Sequence, residues 1–417
     1  MHPEVLKKCI EAQKSKSILA NCSANQKNNI LEHIADSLEN NKEVILKENK
    51  RDLDLLKNSE GYTKAFHDRL LLTEERISDM AKGLREIAAL EDPIGEVTGM
   101  WKRPNGLQIG LTRVPIGVIS IIYEARPNVT IDAAGLSLKS GNVVILRGSS
   151  EALNSNKALV NIIQQSLINL NLPAASVSLI EDTERAAALD LMKANEYLDL
   201  LIPRGGSSLI KTVIDNSTVP VIQTGAGNCH TYIDSSADLE SAYNIALNAK
   251  IQRPGVCNAM ETLLVHRDIA PDFLPKLISA LTDQGVEVRG CKKTTMYSTL
   301  VKTANHKDWE TEYLDLILAI KVVNSVEEAV EHINCYGTGH SEAIITDSYQ
   351  NSRLFLNQVD AAAVYVNAST RFTDGMVFGL GAEMGISTQK LHVRGPMGLE
   401  ALTSLKYLIY GSGQTRM

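Results

Sequence analysis

The sequence predicts an α/β protein built on a doubly wound parallel sheet. Three observations carry that prediction. Short β-branched or leucine-rich runs at 143–146 (VVIL), 177–180 (VSLI) and 198–202 (LDLLI) alternate with helix-spaced segments at 154–168 and 186–193. The links between them are short, and strand–helix alternation with short links implies parallel strands covered by helices. The length of 417 residues also leaves room for two or three domains, at roughly 100–200 residues each.

Residues 1–90 read as packed amphipathic helices. Ser23 and Gln26 stand at capping-box spacing before a stripe of Ile30, Leu31, Ile34, Ala35 and Leu38. A second stripe runs Ile77, Met80, Ala81, Leu84, Ile87, Ala88. Pro104-Asn105-Gly106 marks a turn between short β-like runs, so a hairpin is expected there, followed by a buried strand at 117–122. The run at 198–202 ends in Pro203-Arg204-Gly205-Gly206; a helix at 207–215 and a strand at 219–223 (VPVIQ) follow. After Gly225-Ala226-Gly227 come a short strand and a helix with Leu239, Ala242, Ile245, Ala246 and Ala249 on one face. The loop IQRPGVC and the strand ETLLVH open a second α/β region, with strands near 316–323 and 342–346. The C-terminal part is rich in glycine.

Composition excludes several classes. With 44% apolar and 22% charged residues the chain is an ordinary globular protein. A net charge of −7 leaves no basic excess for nucleic-acid phosphates, and 5% aromatic residues make a poor stacking platform. The 6 cysteines (Cys9, Cys22, Cys229, Cys257, Cys291, Cys335) form no CxxC pair, so neither a thiol redox motif nor a zinc ribbon is expected, and no metal. The first residues, MHPEVLKKCIEAQKSKS, carry no apolar export signal. The longest apolar run, 114–123, is interrupted by Pro115 and Gly117 and reaches about half a bilayer span. A cytoplasmic protein without membrane association is expected.

The motifs are individually weak. GAGNCH supplies half of a GxGxxG fingerprint, and GLGAEMG has one residue too many. GxxxxGK[ST], HExxH and GxSxG are absent. Arg204 to Ser208 lies where a strand meets a helix, and backbone N–H groups there favour an anion; a plain turn fits equally well. Arg147, at the end of VVIL, is either a phosphate-holding cation or a solvated one. Cys257 sits in a loop, QRPGVCN, where Arg253 favours the reactive thiolate. The competing reading is a buried, inert thiol. Cys229, after the glycine turn, is its one rival.

Longer segments carry a resemblance. VPIGVISIIYEARPNVTIDAAGLSLKSGNVVILRG, DLLIPRGG, IQRPGVCNAMETLLVH, VYVNASTRFTDG and FGLGAEMGISTQKLHVRGPMGLEAL, in that order, resemble the γ-glutamyl phosphate reductases, a family within the aldehyde dehydrogenase superfamily. The resemblance spans nearly the whole chain. It implies an aldehyde dehydrogenase-like fold: a Rossmann-like NADP-binding domain at 1–99 and 117–240 with a return segment near 362–390, a smaller catalytic domain at 241–361, and an oligomerisation arm at 100–116 and 391–417.

The resemblance also implies chemistry. It places the nucleophile at Cys257 and an oxyanion donor at Asn128, with Arg126 as the shifted alternative. The reaction would be NADPH-dependent reduction of L-glutamyl 5-phosphate to L-glutamate 5-semialdehyde through a cysteine thioester, the second step of proline biosynthesis. Arg147 falls where relatives hold the adenosine ribose, and Ser150 where NAD-preferring relatives carry a glutamate; together they favour NADP(H). Gly205 and Gly206 would face cofactor phosphate, and Glu312 matches the glutamate that holds the nicotinamide ribose. Arg126, Arg253 and Arg371 are the candidates for phosphate and carboxylate, Arg253 for the leaving phosphate. Ser369, Thr370 and Arg371 are the candidates for the amino-acid end. Gln223 stands where hydrolytic relatives carry a glutamate base. A homodimer or tetramer and a separate glutamate 5-kinase are the expected partners. The alternatives are a hydrolytic NAD(P)-dependent aldehyde dehydrogenase and a non-catalytic relative.

Overall fold

The computed structural model describes residues 1–56 and 64–416. Residues 57–63 and 417, inside the expected cofactor domain and arm, lie outside the described residues. The chain divides into two compact units: Met1–Thr224 with Gly379–Gly385 and Met397–Met417, and Gly225–Phe378 with Ile386–Pro396.

Among the described residues the first unit holds two sheets. Strands β1 (Val97–Lys102) and β2 (Gln108–Pro115) form the expected hairpin, and the C-terminal strand Thr403–Tyr410 pairs antiparallel with β2. The second sheet is parallel, with β3 (Val118–Tyr123), β4 (Val143–Arg147), β5 (Val177–Leu179) and β6 (Leu200–Arg204) in the order β5-β4-β3-β6. All six residues of β3 are buried, as a parallel strand covered on both faces requires. The helix Pro127–Lys139, which the alternation passes over, links β3 to β4. The capping box at Ala24–Asn40 forms: Ser23 Oγ accepts from the Gln26 N–H, and the Gln26 side chain accepts from the Ser23 N–H. The apolar stripe it introduces is buried.

One expected strand is missing. At 219–223 only an isolated bridge forms, between Leu201 and Val221. Pro220 has no N–H to give to a ladder, and the segment is held by single bonds to Leu201.

The second unit is built on a parallel sheet of seven strands: β7 (Cys229–Ile233), β8 (Met260–His266), β9 (Glu287–Gly290), β10 (Lys302–Thr303), β11 (Ile317–Val323), β12 (Ser341–Ile345) and β13 (Ala363–Val366). Their order is β10-β9-β11-β8-β7-β12-β13. One apolar cluster packs residues of the helices Leu239–Ile251 and Ala270–Asp283 on the sheet; another packs those of Val326–Tyr336 and Tyr349–Gln358.

The structure moves two expected boundaries. Residues 229–233, expected in the cofactor domain, pair with β8 and β12 near the middle of the second sheet. Residues 363–366, expected in the return segment, pair with β12 in the same sheet. Strand pairing, which a local pattern does not encode, decides both. The arm is also narrower than 391–417, because Gly395–Pro396 pairs with Ile386–Ser387 in the second unit.

Candidate active site

In the second unit, four loops lead into four adjacent strands. Loop 225–228 enters β7, 252–259 enters β8, 311–316 enters β11 and 337–340 enters β12. Neighbouring parallel strands bring their amino ends side by side, so these loops meet along one edge.

Cys257 is half-buried on the second loop. Its backbone is fixed from behind. Gly227 approaches the Cys257 carbonyl so closely that any Cβ would collide with it. Cys229 Sγ donates to the same carbonyl oxygen at 3.1 Å. The next residue, Asn258, is buried; its amide donates to the carbonyls of Thr373 (2.9 Å) and Arg371 (3.3 Å), and its own carbonyl accepts from Thr370 Oγ1 (2.8 Å).

Cys229 is now separable from Cys257. It is fully buried, and burial, with Glu342 and Cys257 adding to it, pushes its thiol well above the usual range. A thiol held protonated is a poor nucleophile, so Cys229 serves as a hydrogen-bond donor to the loop.

The Arg371 guanidinium donates to Gln252 Oε1 at 2.9 and 2.8 Å and to Asn258 Oδ1. Burial and nearby Arg253 press its pKa down, while Cys257 and Asp374 push it up. Arg253 and Arg371 therefore share the surroundings of Cys257. Ser369 and Thr370, the candidates for the amino-acid end, make internal contacts. Both are buried; Ser369 Oγ accepts from the Arg371 N–H (3.3 Å), and Thr370 holds Asn258. Both hydroxyls thus brace the loop from inside.

Glu312 Oε1 accepts from the Gly227 N–H at 2.6 Å. Burial raises its pKa, and that hydrogen bond opposes the shift. Asn228 is tied to the same edge, with its N–H on Thr338 Oγ1 and its amide on the carbonyls of Trp309 and Tyr336.

In the first unit the candidates gather at the carboxyl ends of the parallel strands. Arg147 ends β4 and donates to the carbonyls of Thr183 and Glu184 at 3.2 and 3.3 Å. Burial lowers its pKa against the pull of Asp182. Its Nε is buried without a hydrogen-bond partner, as is Ser149 Oγ. Ser150 is exposed and bonds its neighbour Glu151. Gly205 and Gly206 join β6 to the helix Ser207–Asn216. The Gly206 N–H, read as open to an external anion, donates instead to Glu124 Oε1 at 2.7 Å. Sequence reasoning missed Glu124 because its partner lies 82 residues away.

Arg126 precedes Pro127 at the start of the helix Pro127–Lys139. Asn128 is exposed in its first turn, with its amide 3.4 Å from Asp132 Oδ2. Burial pushes the Asp132 pKa up to about 6, opposed by Arg204 and Asn128. Sequence reasoning also missed a pair in the second unit, Lys250 and Glu261. The available signal was a lone acid opening an apolar strand, and a lysine closing an apolar helix face.

Known proteins match this arrangement. The model of the aldehyde dehydrogenase family matches residues 2–315. A γ-glutamyl phosphate reductase of Moorella thermoacetica is 60% identical, over 99% of both chains. One from Clostridium botulinum is 58% identical, over 99% of this chain and 100% of its own. The crystal structure of the γ-glutamyl phosphate reductase of Thermotoga maritima superposes with a TM-score of 0.97 at 50% identity, covering 99% of this chain and 100% of that one.

Proposed function

The chain belongs to the aldehyde dehydrogenase family, and from that premise we propose that it is a γ-glutamyl phosphate reductase. It reduces L-glutamyl 5-phosphate to L-glutamate 5-semialdehyde with NADPH and releases phosphate, the second step of proline biosynthesis from glutamate. The observation that carries the reading is Cys257: half-buried, fixed through its carbonyl by Gly227 and Cys229, and sharing its surroundings with two arginines.

The Cys257 thiolate attacks the γ-carbonyl, the bond to the phosphate oxygen breaks, and phosphate leaves with the electron pair. Arg126, Arg253 and Arg371 are the candidate cations for phosphate and carboxylate, with Arg253 the candidate for the leaving phosphate. The tetrahedral oxyanion needs fixed donors; the Cys257 N–H and the Asn128 amide are the candidates, with Arg126 the alternative to Asn128. Hydride from a reduced nicotinamide cofactor would convert the thioester into a hemithioacetal, whose C–S bond then breaks to release the aldehyde and return the Cys257 thiolate. Gln223 cannot take a proton from water, so the thioester is not set up for hydrolysis.

The first unit has groups that fit such a cofactor. The unpartnered Arg147 Nε and Ser149 Oγ suit the 2′-phosphate of NADP, and neutral Ser150 adds no repulsion. Gly205 and Gly206, at a helix N-terminus, suit a diphosphate. Glu124 holds the Gly206 N–H, so a phosphate at that spot displaces its carboxylate. Glu312 is the proposed partner of the nicotinamide ribose.

The proposal extends to assembly. The C-terminal strand exposes Leu405 (47%), Tyr407 (62%) and Ile409 (62%) on alternate positions of one face. Trp101 packs edge-on to Tyr407, at 6.4 Å between ring centroids. An apolar face beside an unpaired strand edge favours cover by a second copy, hence a homo-oligomer. A separate glutamate 5-kinase supplies the acyl phosphate. Among the described residues no helix is long and apolar enough to cross a membrane, and we place the enzyme in the cytoplasm.

The test is semialdehyde oxidation with and without inorganic phosphate, using NADP and NAD side by side. The reaction is expected to require phosphate, with arsenate as a substitute, and to favour NADP. Equal rates without phosphate would support the hydrolytic alternative. Cys257→Ser should abolish turnover while cofactor still binds.

A further inference from the structure

Lys250 and Glu261 form an ion pair with both side chains fully buried, Nζ to Oε2 at 2.6 Å. Lys250 stands at the end of the helix Leu239–Ile251, and Glu261 at the start of β8. The pair therefore brackets the loop that carries Cys257. Burying two charges is costly, and apolar side chains of similar size fill such space as well. A function beyond packing is the natural place to look.

The second carboxylate oxygen supplies it. Glu261 Oε1 accepts from the Leu314 N–H at 3.0 Å. Leu314 has φ +53°, a left-handed conformation that leucine adopts only where its surroundings hold it. The residue is 38% exposed, so core packing is a weak anchor for the turn. Two residues earlier, Glu312 accepts from the Gly227 N–H, and Gly227 lies against the Cys257 carbonyl. The contacts form a closed circuit: the Cys257 loop, Glu261, Leu314, Glu312, Gly227, and back to Cys257.

We infer that Glu261, its carboxylate fixed by Lys250, is a positioning residue that holds Leu314 in its left-handed turn and so registers Glu312 against Cys257. The inference rests on the reading of Glu312 as the partner of the nicotinamide ribose.

The experiment measures the Kd of NADPH by its fluorescence on the protein, together with the rate of Cys257 alkylation in the absence of cofactor. Glu261→Ala combined with Lys250→Met removes both charges and leaves no lone buried ion. It is expected to raise Kd about tenfold, while Cys257 still reacts. Adding Leu314→Gly should bring Kd back to within about threefold of the parent, because glycine adopts positive φ without help. Leu314→Ile in the parent leaves the ion pair intact and makes the turn less favourable; it too should raise Kd, and it covers the case in which the double variant does not fold. An unchanged Kd in either variant, or a raised Kd that Leu314→Gly does not restore, overturns the inference. Glu312→Ala separates the two readings. If it leaves Kd unchanged, the ribose assignment itself fails. If it raises Kd while the Glu261 and Leu314 variants do not, only the positioning role fails.

Discussion

Gly227 lies against the backbone carbonyl of Cys257 with no room for a Cβ between them, and the Cys229 thiol donates to the same oxygen. The start of β7 thus acts as a backstop for the nucleophile loop. The loop precedes a different strand, β8, so its geometry depends on the β7–β8 pairing.

Gly227→Ala should be severe for that reason. The new Cβ meets backbone atoms of Cys257, so no side-chain rotation relieves the clash. Displacing a nucleophile by an ångström is expected to cost about 10²-fold in kcat, and the overpacking about 1–3 kcal/mol of stability. Steady-state kinetics and urea unfolding check both. Near-parental kcat would mean that the backstop is irrelevant to reactivity.

Arg147→Ala should erode discrimination between the two cofactors. A charge-assisted hydrogen bond to the 2′-phosphate contributes about 1.5–3 kcal/mol, so the ratio of kcat/KM for NADPH over NADH should fall by one to two orders of magnitude. The loss should fall on NADPH, because NADH has no 2′-phosphate to lose. If both cofactors weaken equally, Arg147 has only a structural role through Thr183 and Glu184.

His340 predicts an acid limit to stability. Burial presses its pKa from 6.5 down to about 4. Between those values the unfolded chain takes up a proton that the folded chain refuses, so stability falls as pH drops through this window. Above 6.5 the full contribution is present, and below about 4 no further loss arises from this group. The span corresponds to about 3 kcal/mol. Urea unfolding between pH 7 and 4 should show a shallower decline for His340→Gln than for the parent. Parallel declines would assign the acid sensitivity to other groups.

Much of the local structure was legible because it is set by neighbours in sequence. Ser23 and Gln26 predicted a capping box that forms, and the apolar stripes of the N-terminal helices are buried as their spacing required. Pro104-Asn105-Gly106 made the hairpin readable. The strand expected at 219–223 failed because one proline outweighed three residues of good β-propensity, Val219, Val221 and Ile222.

The site was legible only in part, and mostly through resemblance. Cys257 and Arg253 share one loop, so local reasoning found them. By its spacing alone Glu312 reads as a surface acid; only the resemblance singles it out, and the structure adds that Gly227, 85 residues away, donates to it. The Thr370 hydroxyl donates to the Asn258 carbonyl, 112 residues away, a contact that no local pattern carries.

By itself, the sequence determined the α/β class, the element types and the one cysteine worth following, because periodicity, turn chemistry and a neighbouring cation are local properties. The tertiary structure decided which strands share a sheet, which thiol is held protonated, and which acid meets which backbone N–H. Those outcomes depend on burial and on contacts between distant segments. Cys229 and Cys257 are 28 residues apart on neighbouring strand approaches, and only strand pairing turns one into the support of the other.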